Sequence, residues 1–217
     1  IKRNKITLKK ENNQKFDKNI LLNIITKYKN FYSVNSKENF VTSYPGIEHH
    51  NLAFLVGFPR SGTTLIDSIL RSHSKTLVLE EKPFLIKIRH KYFKKNSLEK
   101  ILTISDKEIN ELQKEYFESF THTKNKIIID KFPLNLIELG FIKTIFPTSK
   151  IILAIRHPLD CVLSCVLTAF TINDAMINFE NLKTSANFYD KVFNLFNKYL
   201  LFFNFDFHQV KYENVVL

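Results

Sequence analysis

FLVGFPRSGTTLIDSIL, residues 54–70, decides the fold. The apolar run into Gly57 reads as a buried strand, and TLIDSILRSH (64–73) carries apolar residues at helical spacing. Gly57 and Gly62 bracket the turn between them. A strand, a glycine turn and a helix N-terminus together aim backbone N–H groups at an anion. A nucleoside-triphosphate loop of the pattern GxxxxGK[ST] needs a lysine to reach the terminal phosphates. Here Gly62 is followed by Thr63 and Thr64, and the only charged loop residue is Arg60. An anion is still expected, because the amide cradle remains and a guanidinium fork suits tetrahedral oxyanions. The alternative is a turn that uses its glycines for geometry alone. Arg-Ser-Gly-Thr-Thr directly after a buried strand argues against it.

Outward from the loop, strands and helices alternate. TLVLEE (76–81) reads as a strand and PFLIKIRHKYFKK (83–95) as a helix with proline at a tolerated early position. SDKEINELQKEYFESF (105–120) opens with Ser105 and Glu108 in capping-box spacing. KIIID (126–130) is a strand, LNLIELGFIKTIF (134–146) a helix, KIILAIR (150–156) a strand and LDCVLSCVLTAF (159–170) a helix. A long helix over 180–203 and a last strand, FHQVKYE (207–213), complete the series. Short apolar strands separated by helices predict an α/β fold with a parallel sheet flanked by helices, a three-layer P-loop architecture. Ligands of such sheets sit beyond the carboxyl ends of the strands. Those ends carry Gly57–Thr64, Glu80 and Glu81, Asp130 and Lys131, Arg156, and Tyr212.

Residues 1–51 read as a separate N-terminal piece: a lysine-rich start, an amphipathic helix in KNILLNIITKYKNFY (18–32), and a linker over 34–51. That helix suits the end of a preceding helical module. The main domain is expected over 52–217. The net charge of +11 fits a polyanionic ligand, but the lysines are scattered as on a solvated surface. The arginine–aromatic clustering of a nucleic-acid surface is lacking, so no nucleic acid is expected. Cys161 and Cys165, at i and i+4, suit buried free thiols and a reducing, cytoplasmic setting. No 18-residue apolar run predicts a transmembrane segment. No HExxH or cysteine cluster predicts a metal.

Two motifs in order carry a family resemblance. GFPRSGTTLIDSIL (57–70) resembles the 5′-phosphosulfate loop of sulfotransferases that use 3′-phosphoadenosine 5′-phosphosulfate (PAPS), and KIILAIRHPLDCVLSCV (150–166) resembles their 3′-phosphate motif. DKFPLNLIELGFIKTIFPTSKII (130–152) and VKYENVV (210–216) resemble the bacterial branch associated with tetratricopeptide repeats, itself similar to tyrosylprotein sulfotransferases. The resemblance implies that Arg60, Ser61, Gly62, Thr63 and Thr64 hold the 5′-phosphosulfate. It implies that Arg156 and Ser164 clamp the 3′-phosphate and that Tyr212 contacts the adenine. Glu81 matches the catalytic base, with a register open by one because Glu80 precedes it, and Lys131 matches the lysine supporting the departing phosphate. The donor would be PAPS and the product adenosine 3′,5′-bisphosphate, with no metal. The acceptor would be a hydroxyl on a protein tyrosine, a glycan or a small alcohol. Family chains continue past YENVV, so a C-terminally truncated domain is expected.

Each residue also has a plainer reading. Glu81 could serve the N-terminus of the next helix, Lys131 could be solvated, Arg156 could pair with Asp160, Ser164 could be an ordinary helix residue, and Tyr212 could be core. LTAFTINDAMINF (167–179) could be an acceptor-side lid or a simple helix connection. Strand alternation predicts Glu80 and Glu81 on opposite faces. The competing functions are a P-loop nucleotide kinase or NTPase and a non-catalytic basic anion-binding module.

Overall fold

The computed structural model describes residues 16–35, 51–121, 125–203 and 207–216. The lysine-rich start, residues 1–15, and residues 36–50 of the linker expected over 34–51 lie outside them. Five strands form one sheet in the order β2-β3-β1-β4-β5. They are β1 (Leu52–Gly57), β2 (Thr76–Glu80), β3 (Ile127–Lys131), β4 (Lys150–Ile155) and β5 (Phe207–Lys211). Every pairing is parallel. The chain fills one side of β1 with β2 and β3, then crosses to the other side for β4 and β5. The crevice of such a sheet therefore opens at the carboxyl end of β1, where the glycine loop begins.

Alternation along β1 divides the core. Leu52, Phe54 and Val56 face the larger cluster, and Ala53 and Leu55 face the smaller one. The smaller face is covered by α2 (Thr63–Arg71), which packs Ile66 and Leu70 against Ala53, Leu55, Val78, Ile129 and Ala154. The larger face carries α3 (Phe84–Lys95), α4 (Asp106–Glu118), α5 (Leu139–Ile145), α6 (Pro158–Leu167) and α7 (Leu182–Phe203). The capping box at Ser105 and Glu108 forms as the spacing predicts.

The amphipathic N-terminal stretch forms α1 (Asn19–Val34), whose Ile25, Tyr28, Phe31 and Tyr32 are buried in that same large core. Burying an apolar side chain of this size is worth about 1.5–3 kcal/mol before ordering costs. Tyr28 also donates a 3.0 Å hydrogen bond to the buried Glu138 carboxylate, which Arg89 meets at 3.2 Å. Burial pushes the Glu138 carboxyl above its ordinary range, against the pull of Arg89.

The helix expected over 134–146 is instead a 3₁₀ turn, Pro133–Leu136, followed by α5. Tyr32 of α1 lies against Gly140, where an added Cβ would collide with its ring and hydroxyl. Close approach of a distant helix explains the glycine. The helix expected to reach 170 ends at Leu167.

In β3, Asp130 points into the large core and accepts a 2.6 Å bond from the Tyr116 hydroxyl. Burial raises its carboxyl to about 7. An unfolded aspartate titrates near 4, so between about pH 4 and 7 the unfolded state binds fewer protons than the native state. Stability contributed by the protonated carboxyl is therefore full below about pH 4, is lost as pH rises towards 7, and then levels off. Asp130→Asn should remove this decline, so that its denaturant midpoint gains on the wild type from pH 4 to 7. Parallel midpoint curves for the two proteins would contradict that assignment.

Candidate active site

Four strand ends and the loop build one rim. Phe58, the first residue after β1, is fully buried and packs on Phe179, Phe188 and Tyr189, with ring centroids 4.8–5.7 Å away. This anchor takes in the end of residues 167–179. Their C-terminal end is a 3₁₀ turn, Met176–Phe179, seated in the core through Phe179. Past Phe58 the backbone turns sharply: Arg60 has φ 71° and Gly62 φ 98°. A non-glycine residue in the left-handed region costs roughly 1–2 kcal/mol, a strain concentrated at functional sites. Gly57 cannot carry a side chain, since a Cβ would lie 2.6 Å from both the Ala154 carbonyl oxygen and Ser61 Oγ. Cys165 supports the loop from below, its Sγ 3.3 Å from the Pro59 carbonyl oxygen.

On the β4–β5 side, Arg60 Nε donates to Ser164 Oγ at 3.1 Å, so the loop and α6 meet directly. The Arg156 guanidinium carbon lies 4.6 Å from the centroid of the Tyr212 ring, within cation–π range. Arg156 does approach Asp160, but at 3.8 Å, beyond hydrogen-bond length. Its Nε is buried without a hydrogen-bond partner, and so is Ser61 Oγ. Tyr212 follows β5, donates its backbone N–H to the Ile155 carbonyl at 2.8 Å, and packs its ring on Gly62. The next residue, Glu213, accepts from the His157 N–H at 2.9 Å. Thr63 is buried and Thr64 is exposed at the start of α2.

On the β2–β3 side, Lys131 is 1% exposed and is ringed by carboxylates. Its Nζ lies 2.9 Å from Glu81, 3.3 Å from Glu80 and 3.8 Å from Asp67. The expectation that the two glutamates face opposite ways fails here. β2 ends at Glu80, and Glu81 adopts φ 47°, so strand alternation no longer governs its side chain. The Glu81 N–H then caps the Lys131 carbonyl at 2.8 Å. The solvated reading of Lys131 fails as well, because its ammonium is enclosed.

Asp67 and Arg71, both on α2, were not singled out by the sequence reading. Asp67 is 2% exposed and accepts from Arg71 Nε and Nη2 at 2.8–3.1 Å, while Arg71 also reaches Glu80 at 3.1 Å. The available signal was an aspartate on the buried face of a short amphipathic helix, with an arginine one turn later. Such a charge requires a partner.

A model described as the sulfotransferase family matches residues 53–217. The chain belongs to the sulfotransferase family. The matched range takes in both sides of the rim and all five strands except Leu52, the first residue of β1, and leaves α1 outside it. A protein of Aquifex aeolicus (strain VF5) described as "Uncharacterized protein" is 33% identical over 122 residues. The alignment covers 51% of this chain and 16% of that protein, so the chain spans a minor part of its length.

Proposed function

We propose that this sulfotransferase-family domain moves a sulfuryl group from PAPS to a hydroxyl acceptor, with Glu81 as base. The observation that carries the reading is the rim itself: a Glu81–Lys131 pair on one side of the glycine loop and Arg60, Arg156, Ser164 and Tyr212 on the other. The buried Ser61 Oγ and Arg156 Nε, neither of them hydrogen-bonded, fit an anionic ligand, since an unsatisfied buried polar group costs about 1–3 kcal/mol.

The donor supplies an activated sulfur–oxygen–phosphorus linkage. In this reading the loop amides, Ser61, Thr63, Thr64 and Arg60 orient its 5′-phosphosulfate at the N-terminus of α2. Arg156 and Ser164 hold the 3′-phosphate, and Tyr212 meets the adenine. Glu81 accepts the proton of the acceptor hydroxyl as the acceptor oxygen bonds to sulfur. The bond from sulfur to the bridging oxygen breaks, and its electron pair stays on the departing phosphate, which Lys131 stabilises by hydrogen bonding. The products are a sulfate ester and adenosine 3′,5′-bisphosphate. The acceptor class is a protein tyrosine, a glycan or a small alcohol, and the free buried thiols support a reducing, cytoplasmic setting.

Incubation with sulfur-labelled PAPS and a panel of tyrosine peptides, glycans and small alcohols should yield a labelled ester and the bisphosphate. Transfer of the terminal phosphate of ATP–Mg²⁺ instead, without sulfuryl transfer, would favour the kinase reading. The 3′-phosphate assignment has its own test. Arg156→Ala should abolish the preference for adenosine 3′,5′-bisphosphate over adenosine 5′-monophosphate in competition binding, and Ser164→Ala should weaken it less. A preserved preference would mean that Arg156 serves Asp160 alone.

A further inference from the structure

We infer that Asp67 is a positioning residue for Lys131: it is the fixed counter-ion that keeps the ammonium in place when Glu81 turns to the acceptor. The inference rests on the sulfuryl-transfer reading above and deepens it. Lys131 is enclosed, with 1% of its side chain exposed, whereas the side chains of Glu80 and Glu81 are 51% and 56% exposed. Glu81 can therefore swing away, as it must to reach an acceptor hydroxyl, whereas Glu80 is also held by Arg71 at 3.1 Å. Once Glu81 has taken the proton it is neutral and no longer balances Lys131. A buried ammonium left without a nearby carboxylate is strongly disfavoured.

Asp67 differs from the glutamates in being immobile. Its side chain is 3% exposed, and Arg71 grips both carboxylate oxygens at 2.8 and 3.0 Å. The same Arg71 nitrogen holds Glu80 at 3.1 Å, which ties the glutamate beside the base to the loop helix rather than to the reaction. At 3.8 Å from Lys131 Nζ, Asp67 attracts the ammonium without occupying one of its hydrogen bonds. All three donor positions of Lys131 thus remain available for Glu81, Glu80 or a departing phosphate oxygen. Because α2 starts at the glycine loop and carries Asp67 about one turn into its length, one rigid helix sets the distance between the 5′-phosphosulfate cradle and the lysine.

The test is a double-mutant cycle on kcat with saturating PAPS. Asp67→Asn keeps the shape and should lower kcat roughly 10–100-fold, the range seen when partners that orient metal ligands are removed. The affinity for adenosine 3′,5′-bisphosphate should change little, and Asp67→Glu should recover part of the loss. In the Lys131→Met background, Asp67→Asn should cost little more, because the residue acts through the lysine. Additive losses, or a fall in bisphosphate affinity matching the fall in kcat, would overturn the inference and leave a structural role. If Asp67→Asn does not fold, Arg71→Gln serves: a smaller kcat loss, again absent without Lys131, is expected, and an unchanged kcat overturns the inference. Failure of the broader reading looks different, since the wild type itself would then transfer no sulfuryl group.

Discussion

Glu81→Gln is expected to lower turnover about 10²–10⁴-fold, the usual worth of a general base, while adenosine 3′,5′-bisphosphate still binds. Glutamine retains the shape and an oxygen able to accept from Lys131 Nζ, now 2.9 Å away. Only the capacity to take a proton is lost. Glu80 is the natural control, because it too touches Lys131 but is also held by Arg71. Glu80→Gln should cost far less. The reverse ranking would move the base by one residue. The acceptor in this assay should be an alcohol, whose proton is harder to remove than that of an acidic phenol.

Lys131→Met should cost turnover about 10²–10³-fold, the scale of losing one preorganised oxyanion donor. Methionine approximates the lysine stem in a site where the side chain is enclosed, so packing is largely kept. The loss should be largest for poor leaving groups, since the lysine is assigned to charge growing on the departing phosphate. Folding stability should fall too, because Asp67, Glu80 and Glu81 would then face one another, with Arg71 paired to Asp67 and Glu80 but Glu81 left without Lys131. That penalty is limited by water around the half-exposed glutamates. Single-turnover rates and denaturant midpoints separate the two effects. A variant with normal turnover would remove Lys131 from the chemistry.

The middle of the sheet was legible because buried parallel strands are short apolar runs, as in β1, β3 and β4, whereas β5, FHQVK, is largely exposed and lacks that signal. Gly57, Arg60 and Gly62 were legible from their spacing as a sharp loop after β1, and the left-handed φ of Arg60 and Gly62 makes that turn. Less was legible where a distant segment decides the local structure. Gly140 looks like an ordinary helix interruption until Tyr32 of α1 is placed against it. Glu80 and Glu81 seemed divided by strand alternation, but the strand stops between them and a left-handed φ brings both to Lys131. Asp67 lies on the buried face of a short helix. Its burial follows from α2 lying over the end of β3, a packing that local periodicity does not encode. The link from Arg60 to Ser164 likewise joins two motifs that each read complete on their own.

The central claim is that this rim recognises a nucleotide with both a 5′- and a 3′-phosphate. Calorimetric titration of the chain with adenosine 3′,5′-bisphosphate, and separately with ATP–Mg²⁺, tests it most directly. The account predicts saturable bisphosphate binding that persists in a chelator and is much tighter than that of ATP–Mg²⁺. Tight ATP–Mg²⁺ binding with no heat from the bisphosphate would contradict it.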